Sequence, residues 1–122
     1  MSLLGIWIFV GLWYQDRELP PPNPALHIVY QFGSESENIL RYWRDGEHGF
    51  CERRARYSWR GEELYQKVVE VHPDNASWCS QDPDMRLGFE SWTTLRLKDQ
   101  RLYLKVLMGE EDLEFIWEKQ TD

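Results

Sequence analysis

Three polar side chains could fix the polar end of a ligand if two neighbouring segments pair as strands. The segments, 50–59 and 63–71, both alternate between apolar and polar residues with the period of a strand. Arg53 lies on the more apolar face of the first segment, which is therefore the face expected to point inward. Gln66 and Glu70 share one face of the second segment, so all three could meet in one pocket.

The turn between these segments decides whether that cluster forms. A two- or four-residue turn about Arg60–Gly61 brings Gln66 and Glu70 inward beside Arg53. A three-residue turn reverses the second segment and turns its other face inward, namely Tyr65, Val69 and Val71. If the cluster forms, it either anchors a ligand or closes on itself as an Arg53–Glu70 ion pair, because a buried guanidinium needs a partner.

The two cysteines could form a disulfide. Cys51 begins a strand segment and Cys79 lies in the long loop 72–84, and an antiparallel meander would bring both to the same end of the molecule. The bond would close a loop of about thirty residues and contribute roughly 3–4 kcal/mol in the chain-entropy model. The alternative is a pair of reduced thiols in a cytosolic protein. The spacing is not that of a zinc site.

The other candidate residues form no catalytic or metal-binding pattern. His27, His48 and His72 have no metal-ligand partner at the spacings that metal sites use, so we expect them to face solvent. Asp82 and Asp84 flank a proline, which is typical of turn residues, and nothing offers a Ser-His-Asp arrangement. We therefore expect no enzyme activity, no metal and no cofactor.

Residues 5–14, GIWIFVGLWY, favour a strand over a membrane anchor. The stretch is about half as long as a membrane-spanning helix and contains two glycines. Alternation predicts one face of Trp7, Phe9, Gly11 and Trp13, and an opposite face of Ile6, Ile8, Val10 and Leu12. Both faces are apolar, so the outer row needs cover, and a homodimer formed through Ile6, Ile8, Val10 and Leu12 would provide it.

Eight segments have strand character, and none has a convincing helical period. They are 5–14, 26–32, 39–44, 50–59, 63–71, 85–98, 101–108 and 113–119. Short turns join most of them, which favours an antiparallel meander, and a meander of this length removes its edges by closing. We predict an all-β fold in which residues 1–122 form a single domain, an eight-stranded antiparallel up-and-down barrel with little or no helix.

Such a meander places its two longest loops, 15–24 and 72–84, at the same end of the barrel. The tight turns then lie at the other end, so the barrel resembles a cup with a mouth. We predict a ligand site from the aromatic and polar residues expected to point inward. They are Trp13, Tyr30, Tyr42, Arg53, Gln66 and Glu70.

The opening LLGIW (3–7) resembles the Gly-x-Trp motif of lipocalins and related calycin barrels, with Gly5 and Trp7 at the matching positions. The resemblance implies a barrel with the tryptophan packed across its base and a lid over its open end. The chain has no second lipocalin motif, no arginine closing the last strand, where Lys119 is the nearest cation, and no C-terminal helix. The opening also resembles nitrobindin-type haem barrels, whose histidine ligand comes late in the chain. No histidine follows His72, so we expect no haem.

Composition narrows the classes of partner. The net charge of −7 and the pI near 5.0 disfavour nucleic acid and anionic membranes, and no segment is long enough for a membrane span. We predict non-enzymatic binding of a small apolar or amphipathic ligand in an aromatic-lined barrel. The alternative is a filled barrel that acts as a protein-interaction, inhibitor or dimerisation module. Without a signal peptide we expect a cytoplasmic protein, or a periplasmic or secreted one if an upstream signal was removed.

Overall fold

The computed structural model describes residues 2–108 and 111–120. Its strands follow the alternating segments of the sequence, except that the predicted strand 85–98 begins only at Glu90, after the 3-10 turn Pro83–Met85. They are β1 (Gly5–Tyr14), β2 (Arg17–Leu19), β3 (Leu26–Phe32), β4 (Glu37–Arg44), β5 (Cys51–Arg60), β6 (Glu63–Val71), β7 (Glu90–Lys98), β8 (Arg101–Met108) and β9 (Glu111–Lys119). In the described part of the chain the helical segments are two short 3-10 turns, Ser77–Gln81 and Pro83–Met85.

Eight of these strands close into a barrel, which confirms the predicted fold class. β1 pairs antiparallel with β3 along one edge and with β9 along the other, and β3 to β9 pair in sequence order. The result is a lipocalin-like antiparallel up-and-down barrel. We call the end where β1 starts the base and the opposite end the mouth. No helix among the described residues has the length and apolar character needed to cross a membrane.

The proline-rich segment 15–24 contains a strand that the sequence did not predict. Gln15 and Asp16 adopt positive φ angles of 51° and 59°, which suits a tight two-residue turn. The chain then returns as β2, which pairs with β1 from Leu12 to Tyr14. A Cβ on Gly11 would lie 2.6 Å from the backbone oxygen of Leu19, so glycine permits this close approach.

A bulge in β1 reverses which side chains face inward. Phe9 pairs with Trp117 and Gly11 pairs with Ile116, so Val10 is an extra residue without a partner in this ladder. Before the bulge the predicted alternation holds. After it, Leu12 packs against the core and Trp13 turns to the outside. The predicted outer row therefore loses Leu12.

A second bulge, in β6, has the same consequence. The β5–β6 turn lies at Gly61–Glu62 rather than Arg60–Gly61, which shifts the pairing by two residues and leaves Gln66 inward. Ala55 pairs with Val68 but Arg54 pairs with Glu70, so Val69 is the extra residue. Glu70 is consequently outside the barrel, which contradicts the predicted inward cluster.

The base half of the barrel is densely filled. Its largest fully buried side chains include Trp7, Phe32, Leu64, Leu95 and Leu102. The Trp7 indole donates a hydrogen bond to the Leu3 carbonyl oxygen over 2.8 Å, and Lys119 Nζ lies 5.6 Å from the centre of its ring. The cation thus contacts the tryptophan of the Gly-x-Trp opening.

Candidate functional site

The mouth half of the barrel contains a cavity of about 520 Å³. This volume falls within the range of roughly 300–1,000 Å³ that is common for small-molecule sites. Most of its wall is apolar or aromatic, and the inner wall includes Ile28, Tyr30, Leu40, Leu104, Phe115 and Trp117. Side chains fill the base half of the barrel, whereas the mouth half contains this cavity.

A buried polar cluster forms the floor of the cavity. The side-chain oxygen of Gln66 accepts hydrogen bonds from the Tyr30 hydroxyl at 2.5 Å, Asn38 Nδ2 at 2.8 Å and an Arg53 Nη at 3.2 Å. Arg53 also donates to Asn38 Oδ1 at 2.5 Å and to the Tyr30 hydroxyl at 2.9 Å. These partners are neutral, so the guanidinium charge has no hydrogen-bonded carboxylate among the described residues even though Arg53 is only 3% exposed.

Three donor groups around this floor lack an acceptor among the described residues. Because the Gln66 oxygen is held by three donors, its orientation is fixed, and Gln66 Nε2 makes no hydrogen bond. Arg53 Nε and Trp117 Nε1 are buried and also have no partner. Buried donors without acceptors are rare in proteins. Of these three groups, Gln66 Nε2 belongs to a polar residue that lines the cavity and can offer a hydrogen bond to an acceptor there.

The loop between β6 and β7 forms the roof. The Tyr42 hydroxyl donates to Asp82 Oδ2 over 2.6 Å, while Asp82 Oδ1 accepts from the backbone nitrogen of Asp84 at 2.9 Å. Both carboxylates line the cavity. The disulfide between Cys51 and Cys79 ties this loop to β5, and both sulfur-bearing side chains are buried.

Burial and neighbouring negative charge raise the pKa of two side chains at the roof, Tyr42 and Asp84. The pKa of Tyr42 is raised, first by burial and then by its hydrogen bond to Asp82. The pKa of Asp84 is also raised, because surrounding protein atoms partly desolvate its carboxyl, although the residue keeps an exposed surface, and because Asp82 lies near; Arg53 offsets part of this effect. The roof thus contains the carboxyl groups of Asp82 and Asp84, and the raised pKa of Asp84 favours its protonated form.

A shallower cleft of about 360 Å³ lies next to the cavity. Both spaces are lined by Ile28, Tyr42 and Asp82. Trp78 lines the cleft but not the cavity. The hydrogen-bonded pair of Tyr42 and Asp82 therefore stands between the cleft and the cavity.

Four of the six predicted ligand-binding residues meet at this site. Tyr30, Tyr42 and Gln66 line the cavity, and Arg53 lies behind them in the floor cluster. The other two are on the outer surface, as the next two features show.

Trp13 is outside because it follows the bulge at Val10. It packs edge-on against Tyr103 with ring centres 6.4 Å apart, and the Arg96 guanidinium lies 5.8 Å from its ring centre. Tyr103 belongs to the outer face of β8, since its neighbours Leu102 and Leu104 point to the core. The inward position predicted for Trp13 is therefore wrong.

Glu70 is outside because it follows the bulge at Val69. It is exposed and lies 3.5 Å from an Nη of Arg54, which also pairs with Glu37. An exposed ion pair of this kind contributes little stability. The predicted Arg53–Glu70 contact is wrong, and Asn38 and Tyr30 take its place as partners of the arginine.

Sequence reasoning missed Asn38, Asp82, Asp84 and Trp117. Asn38 pairs with Ala55, which is two residues from Arg53 and therefore shares its predicted inward face, so cross-strand register could have found it. Trp117 lies two residues from Phe115 in β9, so the two side chains share a face and could have been assigned to the interior together. The two aspartates were assigned correctly as turn residues, but no local signal indicates that their loop folds over the cavity.

The outer row of β1 is shorter than predicted. Ile6, Ile8 and Val10 remain in it, and Ile8 is 38% exposed. Dimerisation through this row stays a prediction. Among residues 2–108 and 111–120, no group of three or more histidine, cysteine or acidic side chains could hold a metal ion.

Comparisons with known proteins support the fold. No protein-family model matches this sequence, and no curated relative matches it. A lipocalin-like protein from Bacteroides uniformis has a similar structure, with a TM-score of 0.59, 19% identity and coverage of 97% of this chain and 98% of that chain. An uncharacterized protein from Bacteroides eggerthii gives a TM-score of 0.56 at 14% identity, covering 98% and 100% of the two chains.

A mutant form of the fluorescent protein UnaG is a third similar structure. The TM-score is 0.50 and the identity 10%, over 98% of this chain and 97% of that chain. At these identities the likeness concerns the course of the backbone. The protein therefore has a lipocalin-like barrel fold that it shares over nearly its whole length with these structures.

Proposed function

We propose that this protein binds a small apolar or amphipathic molecule in the cavity at the mouth half of its barrel, without catalysing a reaction on it. The observation that carries the proposal is the combination of an aromatic-lined cavity of about 520 Å³ with the side-chain amide nitrogen of Gln66, a lining residue, which donates no hydrogen bond among the described residues. A cavity with few, convergent polar groups is the usual form of a small-molecule site.

The polar floor indicates which end of the ligand it would hold. Gln66 lines the cavity, and its Nε2 is left available because its oxygen accepts three hydrogen bonds. The positive charge of Arg53 lies directly behind that oxygen. A ligand carbonyl, ether or carboxylate would satisfy Gln66 Nε2, whereas a ligand cation at the floor would meet the buried positive charge of Arg53.

The wall and the roof suit the rest of such a ligand. Phe115 and Trp117 are part of a continuous aromatic surface with Phe9, with ring centres 4.8 Å and 5.7 Å from that of Phe9. Aromatic walls of this kind remove apolar area from water on binding. The carboxylates of Asp82 and Asp84 offer acceptors at the opposite end of the cavity.

Within the described part of the chain, the cavity lining lacks two of the residue types that most often catalyse reactions, and its carboxylate Asp82 is engaged by Tyr42 and by the backbone of Asp84. Among the described residues around the cavity there is no histidine and no free cysteine, which are the common general bases and nucleophiles. Two of the three similar structures are described as a lipocalin-like protein and a fluorescent protein, and neither description names an enzyme activity.

A pair of tryptophan substitutions tests the proposal. Ser91 lines the cavity and pairs with Gln66, so Ser91→Trp would place an indole in the cavity above the floor. Thr94 lies on the same strand but faces outward and is exposed, so Thr94→Trp is the matched control. We would titrate each variant with anilinonaphthalene sulfonate, a fluorescent amphipathic probe, and follow its emission.

The proposal predicts that Ser91→Trp weakens probe binding by about tenfold or more, since the indole takes the space of the ligand. Thr94→Trp should bind the probe as the wild type does. Urea unfolding would verify that both variants fold. Equal binding by the folded Ser91→Trp variant would show that the probe binds elsewhere and would count against the cavity as the site.

A further inference from the structure

The wall of the barrel is not continuously hydrogen-bonded. β7 and β8 pair only between Leu95–Leu104 and Lys98–Arg101, which lie near the base. Towards the mouth, β7 continues along β6 as far as Glu90, and β8 continues along β9 as far as Met108. The described residues therefore leave a slit between the mouth halves of β7 and β8.

The cavity reaches this slit from the inside. Ser91 and Thr93 of β7 line it on one side, and Lys105 and Val106 of β8 line it on the other. If the ladder continued beyond Leu95–Leu104, Thr93 would stand opposite Val106. The two residues that would have formed the wall instead border the opening.

Exposed apolar side chains lie on the β7 side of the slit, where Trp92 packs against Tyr65 of β6 with ring centres 5.3 Å apart. Phe89 and Trp92 line the cavity yet are 37% and 61% exposed, and Leu87 in the preceding loop is 69% exposed. Large exposed apolar groups gathered at one place are uncommon on a soluble surface and mark sites of contact with apolar molecules. These side chains would contact an apolar ligand as it leaves water.

The mouth end of the barrel is more firmly closed. The roof loop is tied to β5 by the Cys51–Cys79 disulfide, and Met85 in that loop is 3% exposed. Passage through the roof would break the 2.6 Å hydrogen bond between Tyr42 and Asp82. Passage through the slit breaks no hydrogen bond of the β7–β8 ladder, because that ladder has ended.

We infer that the ligand enters and leaves through the side of the barrel, between β7 and β8, rather than through its mouth. This inference rests on the proposed function, since it needs a ligand in the cavity. Phe89 and Trp92 form the entrance, and the roof loop is a fixed cover rather than a lid.

A reversible zinc cross-link between β7 and β8, which we call the clasp, tests the entry route of the ligand. Thr94 and Lys105 occupy the next rung beyond Leu95–Leu104, and both are exposed. In the double variant Thr94→His, Lys105→His, zinc would bridge the two imidazoles and hold the strands together without touching the native disulfide. Stopped-flow fluorescence with anilinonaphthalene sulfonate would give the association and dissociation rates with and without zinc.

A barrier on the route changes both rates by one factor and leaves the Kd unchanged. We expect zinc to slow association and dissociation of the probe by about tenfold in the clasp variant and to leave the wild type unaffected. Unchanged rates in a clasp variant shown to bind zinc by calorimetry would overturn the inference.

A second pair of variants distinguishes the two routes without zinc. Trp92→Ala removes an exposed indole from the β7 side of the entrance, and Trp78→Ala removes one from the cleft on the other side of the Tyr42–Asp82 pair. The side route predicts that Trp92→Ala speeds both rates and Trp78→Ala changes neither. The reverse pattern would place the entrance at the mouth. If the wild type does not bind the probe at all, the proposed function itself fails.

Discussion

Loss of the disulfide should destabilise this barrel by an amount that follows from its position in the chain. Cys51 and Cys79 are 28 residues apart, and the chain-entropy model gives about 3.6 kcal/mol for a loop of this length at 25 °C. Both side chains are buried, so an alanine substitution would add the loss of sulfur contacts. Reduction of the wild type avoids that addition and isolates the effect of the cross-link.

The assay is urea unfolding of the oxidised and the reduced wild type, followed by tryptophan fluorescence. With a denaturant slope of about 1.5–2 kcal/mol/M, the unfolding midpoint should fall by about 2 M on reduction. The Cys51→Ala, Cys79→Ala double variant is the control, because reductant should not change its midpoint. A change below about 1 kcal/mol on reduction of the wild type would refute the view that the cross-link restrains the unfolded chain.

Three further predictions concern single residues. Arg53→Met should lower the free energy of unfolding by roughly 2–4 kcal/mol in urea titrations, because it leaves the buried Asn38 and Gln66 oxygens without a charged donor; a loss below about 1 kcal/mol would contradict this. Asp84→Asn should stabilise the protein at pH 7. Its carboxyl has a raised pKa, so the folded state binds the proton more tightly than the unfolded state and the ionised form is destabilising. The gain should vanish as the pH falls below the ordinary value of 3.8, and a gain independent of pH would count against this origin. Gly5→Ala should cost about 1–3 kcal/mol by thermal unfolding, because Gly5 has a φ of 127°, a conformation that strains any residue with a Cβ; a neutral result would exclude the strain.

Alternation predicts the fold because it repeats in eight segments, and each repetition is independent of the others. The same alternation fails for Trp13 and Glu70, and for one reason. Each residue follows a bulge, at Val10 in β1 and at Val69 in β6, and one extra residue exchanges the two faces of all that follows. Valine is an ordinary strand residue, so nothing in its type marks the bulge.

The roof of the cavity could not be predicted from local sequence patterns, and the reason is different. Asp82 behaves as the turn residue that the sequence predicts, since it accepts from the backbone of Asp84. Its contact with Tyr42, 40 residues away, depends on the path of the loop after Cys79 is tied to Cys51. Such long-range restraints appear only once the strands have been assembled.

The measurement that tests ligand binding in the cavity most directly is the nuclear Overhauser effect between protein and probe. We would record spectra of the protein with anilinonaphthalene sulfonate and assign the protein protons that lie near the probe. Binding in the cavity predicts contacts to the rings of Tyr30, Phe115 and Trp117, which line it. Contacts confined to Ile6, Ile8 and neighbouring outer residues would contradict it and would assign binding to the outer face of β1.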